Sequence, residues 1–174
     1  MLLHPYQPQW AVDFKSISSI LLSAIADPEI KAEHIGSTAV PGLAAKAIID
    51  LDLVFQTAAQ FKRIKSTLED LGYYHNGNQG IPGREVFKRS KAENIHPTLD
   101  EITHHLYVCR ADSEELKRHL IFRNALREQE ATRKAYQELK QAIAIAANQD
   151  RKTYAQLKEI QARSFIQAVL NNHY

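Results

Sequence analysis

The chain has 174 residues, 44% of them hydrophobic and 24% charged, a balance expected of one globular domain with a core of useful size. Its 22 Lys and Arg against 20 Asp and Glu leave a formal net charge of +2, too close to neutral for a general nucleic-acid binder. A lone cysteine, Cys109, excludes an intramolecular disulfide and a CxxC metal site.

From Pro8 to Ile25, Trp10, Phe14, Ile17, Leu21, Leu22 and Ile25 recur every three or four positions, which predicts an amphipathic helix with Pro8 near its first turn. Trp10 and Phe14 read as core residues on that stripe. The same region has no basic segment leading into an apolar run, so no signal peptide is expected. No later stretch reaches membrane-spanning length, and the expected setting is cytoplasmic. Ile30 to Ile35 alternates weakly into Gly36-Ser37, Pro41-Gly42 marks a turn, and Ile48 to Phe55 is a β-prone run interrupted only by Asp50 and Asp52. Thr57 and Gln60 have the spacing of a capping box, opening a helix to about Leu71 that Gly72 stops. Asn76 to Gly83, with three glycines and Pro82, predicts a loop. Strands are expected over 84–89 and 102–109, joined by a polar loop over 90–100. Asp112 and Glu115 are placed to cap a helix running to about Gln129, and two further helices are expected over 131–147 and 151–171. The order α-β-β-α-β-β followed by helices predicts an α+β fold: a mixed sheet flanked by helices over 1–111, and a C-terminal helical segment over 112–174 packed on it as one compact domain.

Asp50 and Asp52 are separated by one residue of a strand, so both side chains emerge on one face while Leu51, Leu53 and Phe55 point into a core. Two like charges in an apolar strand are costly unless something cationic neutralises them. A divalent cation, Mg²⁺ or Mn²⁺, would do so, and it favours oxygen ligands in the company of phosphates. Gly36-Ser37 supplies a complementary part: glycine lets backbone approach a phosphate closely, and the Ser37 hydroxyl can donate to it. Lys46, shortly before the strand, can partner a phosphate or the acidic pair. Gly-Ser ending one strand with Asp-x-Asp in the next is the shared pattern of polymerase-β-like nucleotidyltransferases.

The run from His34 to Lys46, His-Ile-Gly-Ser-Thr-Ala-Val-Pro-Gly-Leu-Ala-Ala-Lys, with Ile-Ile-Asp-Leu-Asp at 48–52, resembles the hallmark of the GrpB family. So do Tyr6 with Trp10, Gly80-Ile81-Pro82-Gly83-Arg84, Thr103-His104-His105-Leu106, and His119-Leu120 with Phe122-Arg123. The resemblance implies a nucleotidyltransferase-like fold without fixing a reaction. Ala47 stands where the family commonly has Pro, and Tyr107 where it often has His. Lys158 and Arg163 both compete for a basic position before Phe165-Ile166.

Active nucleotidyltransferases usually add a third acid from a neighbouring strand, and 102–109 contains none. His105 is the best occupant of that place, as base or ligand, with Glu85 an alternative acid. Arg84, closing the glycine-rich loop, and Arg123, in a stripe with His119 and Arg127, are candidate phosphate clamps. The expected activity is metal-dependent nucleotidyl transfer from a nucleoside triphosphate to an unidentified acceptor. The expected catalytic groups are Asp50, Asp52 and His105, with metal on the two aspartates and phosphates on Gly36, Ser37, Lys46, Arg84 and Arg123. The alternative is an inactive module holding a nucleotide or another phosphorylated small molecule in the same pocket.

Overall fold

In the computed structural model, which describes residues 1–90 and 96–172, the two apolar alternations flanking Gly36 form antiparallel neighbours. These are β1 (Lys31–Ile35) and β2 (Ile49–Phe55), with Ile35 opposite Asp50 and Glu33 opposite Asp52. On its other side β2 runs parallel to β5 (His104–Arg110), placing His105 opposite Asp50 and Tyr107 opposite Asp52. The sheet is completed antiparallel by β4 (Arg84–Arg89) and β3 (Tyr73–His75), in the order β1-β2-β5-β4-β3.

One face of this mixed sheet buries its side chains against α1 (Gln9–Ile25) and α2 (Ala58–Asp70). Leu51, Leu53 and Val108 meet Ile17, Leu21 and Ile64 there, all with no exposed surface. Each such side chain contributes roughly 1.5–3 kcal/mol. The strand alternation therefore turns Asp50 and Asp52 to the opposite face, over which α4 (Glu114–Glu128) lies. Beyond it stack α5 (Glu130–Ala146), α6 (Arg151–Gln161) and α7 (Arg163–Asn171). Two small apolar clusters fasten these helices to the segment between Ser37 and Ile48. Val40 and Leu43 pack on Leu126, Tyr136 and Ala162, while Ala44 packs on Ile143, Ala147 and Tyr154.

The capping box of α2 is complete: Gln60 N–H donates to Thr57 Oγ1 at 3.2 Å, and Thr57 N–H to Gln60 Oε1 at 3.1 Å. Four local expectations change. Residues 73–75 add a strand too short to show alternation. Residues 97–101 of the expected loop form a helix, α3 (Pro97–Glu101), because Asp100 accepts the His96 N–H at 2.9 Å and pairs with Arg89. Residues 91–95 of that loop lie outside the described residues. Ser113, not Asp112, caps α4, its Oγ accepting the Leu116 N–H, while Asp112 pairs with Arg110. The expected final helix breaks at fully buried Ala162, wedged against Val40 and Leu43. Among the described residues no helix is long and apolar enough to cross a membrane.

Candidate functional site

The site is organised by the turn between β1 and β2. Gly36 sits at φ 70°, ψ −170°, a region open essentially to glycine alone. A Cβ added there would stand 2.5 Å from Asp50 Oδ2, so the Gly-Ser turn and the acid are in direct van der Waals contact. His34 holds the turn from beneath, its ring stacked on Phe14 at 4.6 Å. The Thr38 hydroxyl donates to Ile48 O at 3.3 Å, so the His34 Nε2–H donates to Thr38 Oγ1 at 3.1 Å. Burial, with the nearby Arg127 charge, lowers His34 to about 4 and keeps it neutral at pH 7.

The two acids are solvated very differently. Asp50 faces the cleft with 27% of its side chain exposed and accepts the Nδ1–H of His105 at 2.8 Å. Asp52 is fully buried and accepts from His119 Nδ1 at 2.8 Å and from the Cys109 thiol at 3.6 Å. Burial and the Asp52 charge push that thiol up, so it stays protonated as a donor. The other nitrogen of His119 lies 3.3 Å from Glu115. Burial alone would lower His119, but hydrogen bonds to Asp52 and Glu115 and their charges outweigh it and raise the imidazole to about 9. Thus an imidazolium supplies the cationic neutralisation that buried Asp52 requires.

This arrangement has a pH signature. The folded value of His119 lies above its ordinary 6.5. The stability it contributes is therefore fully present below about 6.5 and lost as pH rises through about 9. At ~1.4 kcal/mol per pH unit, the gap between wild type and His119→Gln is expected to shrink by about 3 kcal/mol across that window. Urea unfolding at several pH values measures it; a pH-independent gap would show that His119 is neutral in the fold.

Opposite the acids stands a wall of basic side chains from the C-terminal helices. The cleft has a volume of about 420 Å³ and is lined by Gly36, Ser37, Lys46, Asp50 and His105 from the sheet side. Glu115, His119 and Arg123 of α4, Tyr136 and Lys140 of α5, and Tyr154 and Lys158 of α6 line it from the helical side. Lys140 is 1% exposed; its Nζ donates to Ser37 Oγ at 3.0 Å and to the Ala44 carbonyl. Burial, reinforced by the Lys158 and Lys46 charges, lowers it to about 7. Lys46 lies over the Tyr154 ring at 4.9 Å and is also lowered, by burial and by Lys158.

The expected site residues divide accordingly. Gly36, Ser37, Lys46, Asp50, His105 and Arg123 line one cleft, and Asp52 stands behind it bonded to His119. Arg123 is already tethered, its Nη1 donating to Glu33 at 2.7 Å and to His34 O at 2.9 Å. Arg84 opens β4 as expected, but its guanidinium packs over Tyr107 at 4.9 Å and lies 3.8 Å from Glu115, outside the lining, so it is not placed as a phosphate clamp. Glu85 is bonded to His75 at 2.6 Å and is likewise outside the lining. Of the two basic candidates near Phe165, Lys158 lines the cleft, whereas Arg163 is 75% exposed beside Glu159. Lys140 carries no sequence signal and Glu115 only that of a helix cap, because single polar residues on long helices resemble a solvated face.

A family model described as "GrpB protein" matches residues 1–172. UPF0157 protein PA4798 of Pseudomonas aeruginosa is 34% identical over 155 residues, covering 89% of this chain and 62% of that protein. UPF0157 protein YqkA of Bacillus subtilis is 30% identical over 155 residues, covering 88% of this chain and 43% of its own. The chain thus spans less than two thirds of either relative. The crystal structure of conserved protein GrpB from Enterococcus faecalis is similar across 98% of both chains, with 31% identity and a TM-score of 0.78. With the family pattern matched from residue 1 to residue 172 and the fold shared end to end, the chain belongs to the GrpB family.

Proposed function

We propose that the cleft is a nucleotidyltransferase-type site that binds a nucleoside triphosphate, or another phosphorylated small molecule, together with Mg²⁺ or Mn²⁺. The observation that carries this reading is the contact of the Gly36-Ser37 turn with Asp50, faced by Lys140 and Lys158 across the same cavity. Ser37 and the exposed backbone of Gly36 would donate to phosphate oxygens, Lys158 would neutralise them, and a bound phosphate would draw a proton onto Lys140. Asp50 fits a divalent cation that arrives on the phosphates, since it is open to the cleft. Asp52 fits only by exchanging its bond to His119 for the ion, because both of its oxygens are engaged. When bound, such an ion would neutralise phosphate charge and stabilise the leaving pyrophosphate. His105, oriented by Asp50 through Nδ1, would keep Nε2 for the acceptor's proton.

A second reading, binding without transfer, is favoured by the engagement of both Asp52 oxygens and by the absence of an acid on β5. Thermal denaturation with each of the common nucleoside triphosphates, with and without Mg²⁺, tests the shared part. A ligand at about 100 times its Kd is expected to add roughly 2.7 kcal/mol, and Asp50→Asn to remove the metal-dependent part of that gain. Stabilisation by no nucleotide under either condition overturns both readings. Pyrophosphate release that is lost in Asp52→Asn distinguishes transfer from binding.

A further inference from the structure

We propose that Ser37 and Lys140 form a nucleophile–base pair that cleaves small anionic carboxylic esters, an activity separate from nucleotidyl transfer. The Lys140 Nζ and Ser37 Oγ are 3.0 Å apart, within the reach that activates a hydroxyl nucleophile. Ser37 is half-buried at the cleft wall, so an ester carbonyl can approach its Oγ from the cavity. The amine is withdrawn from bulk solvent at 1% exposure but lines the cleft beside Ser37, and the Ala44 carbonyl accepts one of its protons and fixes its position. The groups facing it are Ser37 and Lys46 from the segment before β2, Tyr136 from α5, and Tyr154 and Lys158 from α6. Among the described residues Lys140 forms no ion pair with a carboxylate. A buried ammonium without a counter-ion is costly, so the environment favours the neutral amine, which is a base. Its value of about 7 agrees with that geometry.

In the reaction, the neutral Lys140 Nζ takes the Ser37 Oγ–H proton as Oγ bonds to the ester carbonyl carbon. The ester C–O bond then breaks, and the Lys140 ammonium returns the proton to the departing alcohol. Water, deprotonated by the same amine, attacks the acyl-Ser37 ester and releases the carboxylic acid with Ser37 restored. Lys158, lining the same cavity, supplies positive charge for the transient oxyanion, and with Lys46 and Arg123 it selects an ester that carries negative charge elsewhere.

The full chain, with no nucleotide or metal added, is treated with a fluorophosphonate probe and separately with the anionic ester mono-p-nitrophenyl succinate, from about pH 6 to about pH 9. The expected result is a phosphonyl adduct mapped to Ser37 by peptide mass spectrometry, with labelling and nitrophenol release rising through about pH 7 and then levelling. Ser37→Ala should give neither. Lys140→Arg keeps donors at this position but stays protonated at every pH tested, so it cannot take the Ser37 proton, and should lower both by about 100-fold or more. A folded wild-type protein with no adduct on Ser37 at any pH overturns the proposal, as does labelling unchanged in folded Lys140→Arg. If that variant does not fold, the wild-type adduct map and pH profile decide alone. Because no nucleotide is present, failure here leaves the nucleotide melting experiment untouched, and the reverse holds too.

Discussion

Lys140→Met is expected to abolish ligand-induced stabilisation while gaining stability relative to wild type as the pH falls. The folded value of Lys140, about 7, lies below its ordinary 10.5. Between those values the unfolded chain binds a proton that the folded chain does not, so wild-type stability from this group rises with pH across the window. The cost is fully present below about 7, and methionine, of similar length and uncharged, does not incur it. Loss of the donor to the Ala44 carbonyl costs about 1–3 kcal/mol at every pH. The absolute gap is therefore offset, but its slope is not. From about pH 10 down to about pH 6.5 the variant should gain on the order of 3 kcal/mol over wild type, at ~1.4 kcal/mol per unit and reduced by residual hydration of the site. His119 acts in the opposite direction over an overlapping window, since its contribution is lost as pH rises through about 9. The wild-type curve alone should thus look flat near pH 7 to 9 (roughly, by cancellation), and only the two variants separate the opposing slopes. Urea titrations of Lys140→Met and wild type at three pH values give the answer; a gap constant with pH means that Lys140 is charged throughout.

The elements that carry strong local chemistry were legible in the sequence. The stripe from Trp10 to Ile25 is a helix, Thr57 and Gln60 do form the capping box, and the alternation around Asp50 and Asp52 gives the strand and its acidic face. The Gly36-Ser37 turn is readable because a backbone conformation that only glycine adopts leaves glycine behind as its mark. Resemblance extended this to the family, since its motifs run the length of the chain. What stayed hidden depends on long-range packing. Arg84 reads from the sequence as the residue that closes the glycine-rich loop and opens the next strand, and only the pairing of β4 with β5 draws its guanidinium over Tyr107. His119 was visible as one member of a helical stripe, but its bond to Asp52 joins residues 67 apart. Lys140 and Ser37 are 103 apart, and nothing near Lys140 in the chain distinguishes it from the exposed Lys134 one helix face away. Half of the cleft is thus written in one local motif and half in tertiary contacts.

Gly36→Ala should damage the site far more than the fold. The new methyl meets two obstacles together. At φ 70°, ψ −170° a side chain costs on the order of 1–3 kcal/mol, and its Cβ would lie 2.5 Å from Asp50 Oδ2, inside any real contact distance. Relief requires either that Asp50 rotate away, breaking its 2.8 Å bond to His105, or that the turn shift, drawing Ser37 off the Lys140 amine. Both routes separate the acidic half of the cleft from the cationic half. Gly36 is exposed and belongs to no apolar cluster, so a destabilisation of about 2 kcal/mol should lower the melting temperature by roughly 4–8 °C without loss of helix or sheet. Ligand-induced stabilisation and Ser37 labelling should both fall to background. Gly42→Ala is the matching control: its φ of 81° imposes similar backbone strain, but the nearest atom to its Cβ is Arg133 Nε at 3.7 Å, away from the acids. Equal loss of ligand stabilisation in the two variants would mean that general loosening of the turn, and not contact with Asp50, is what the glycine protects. Loss confined to Gly36→Ala ties the binding of phosphates to the contact between the Gly36 backbone and the Asp50 carboxylate.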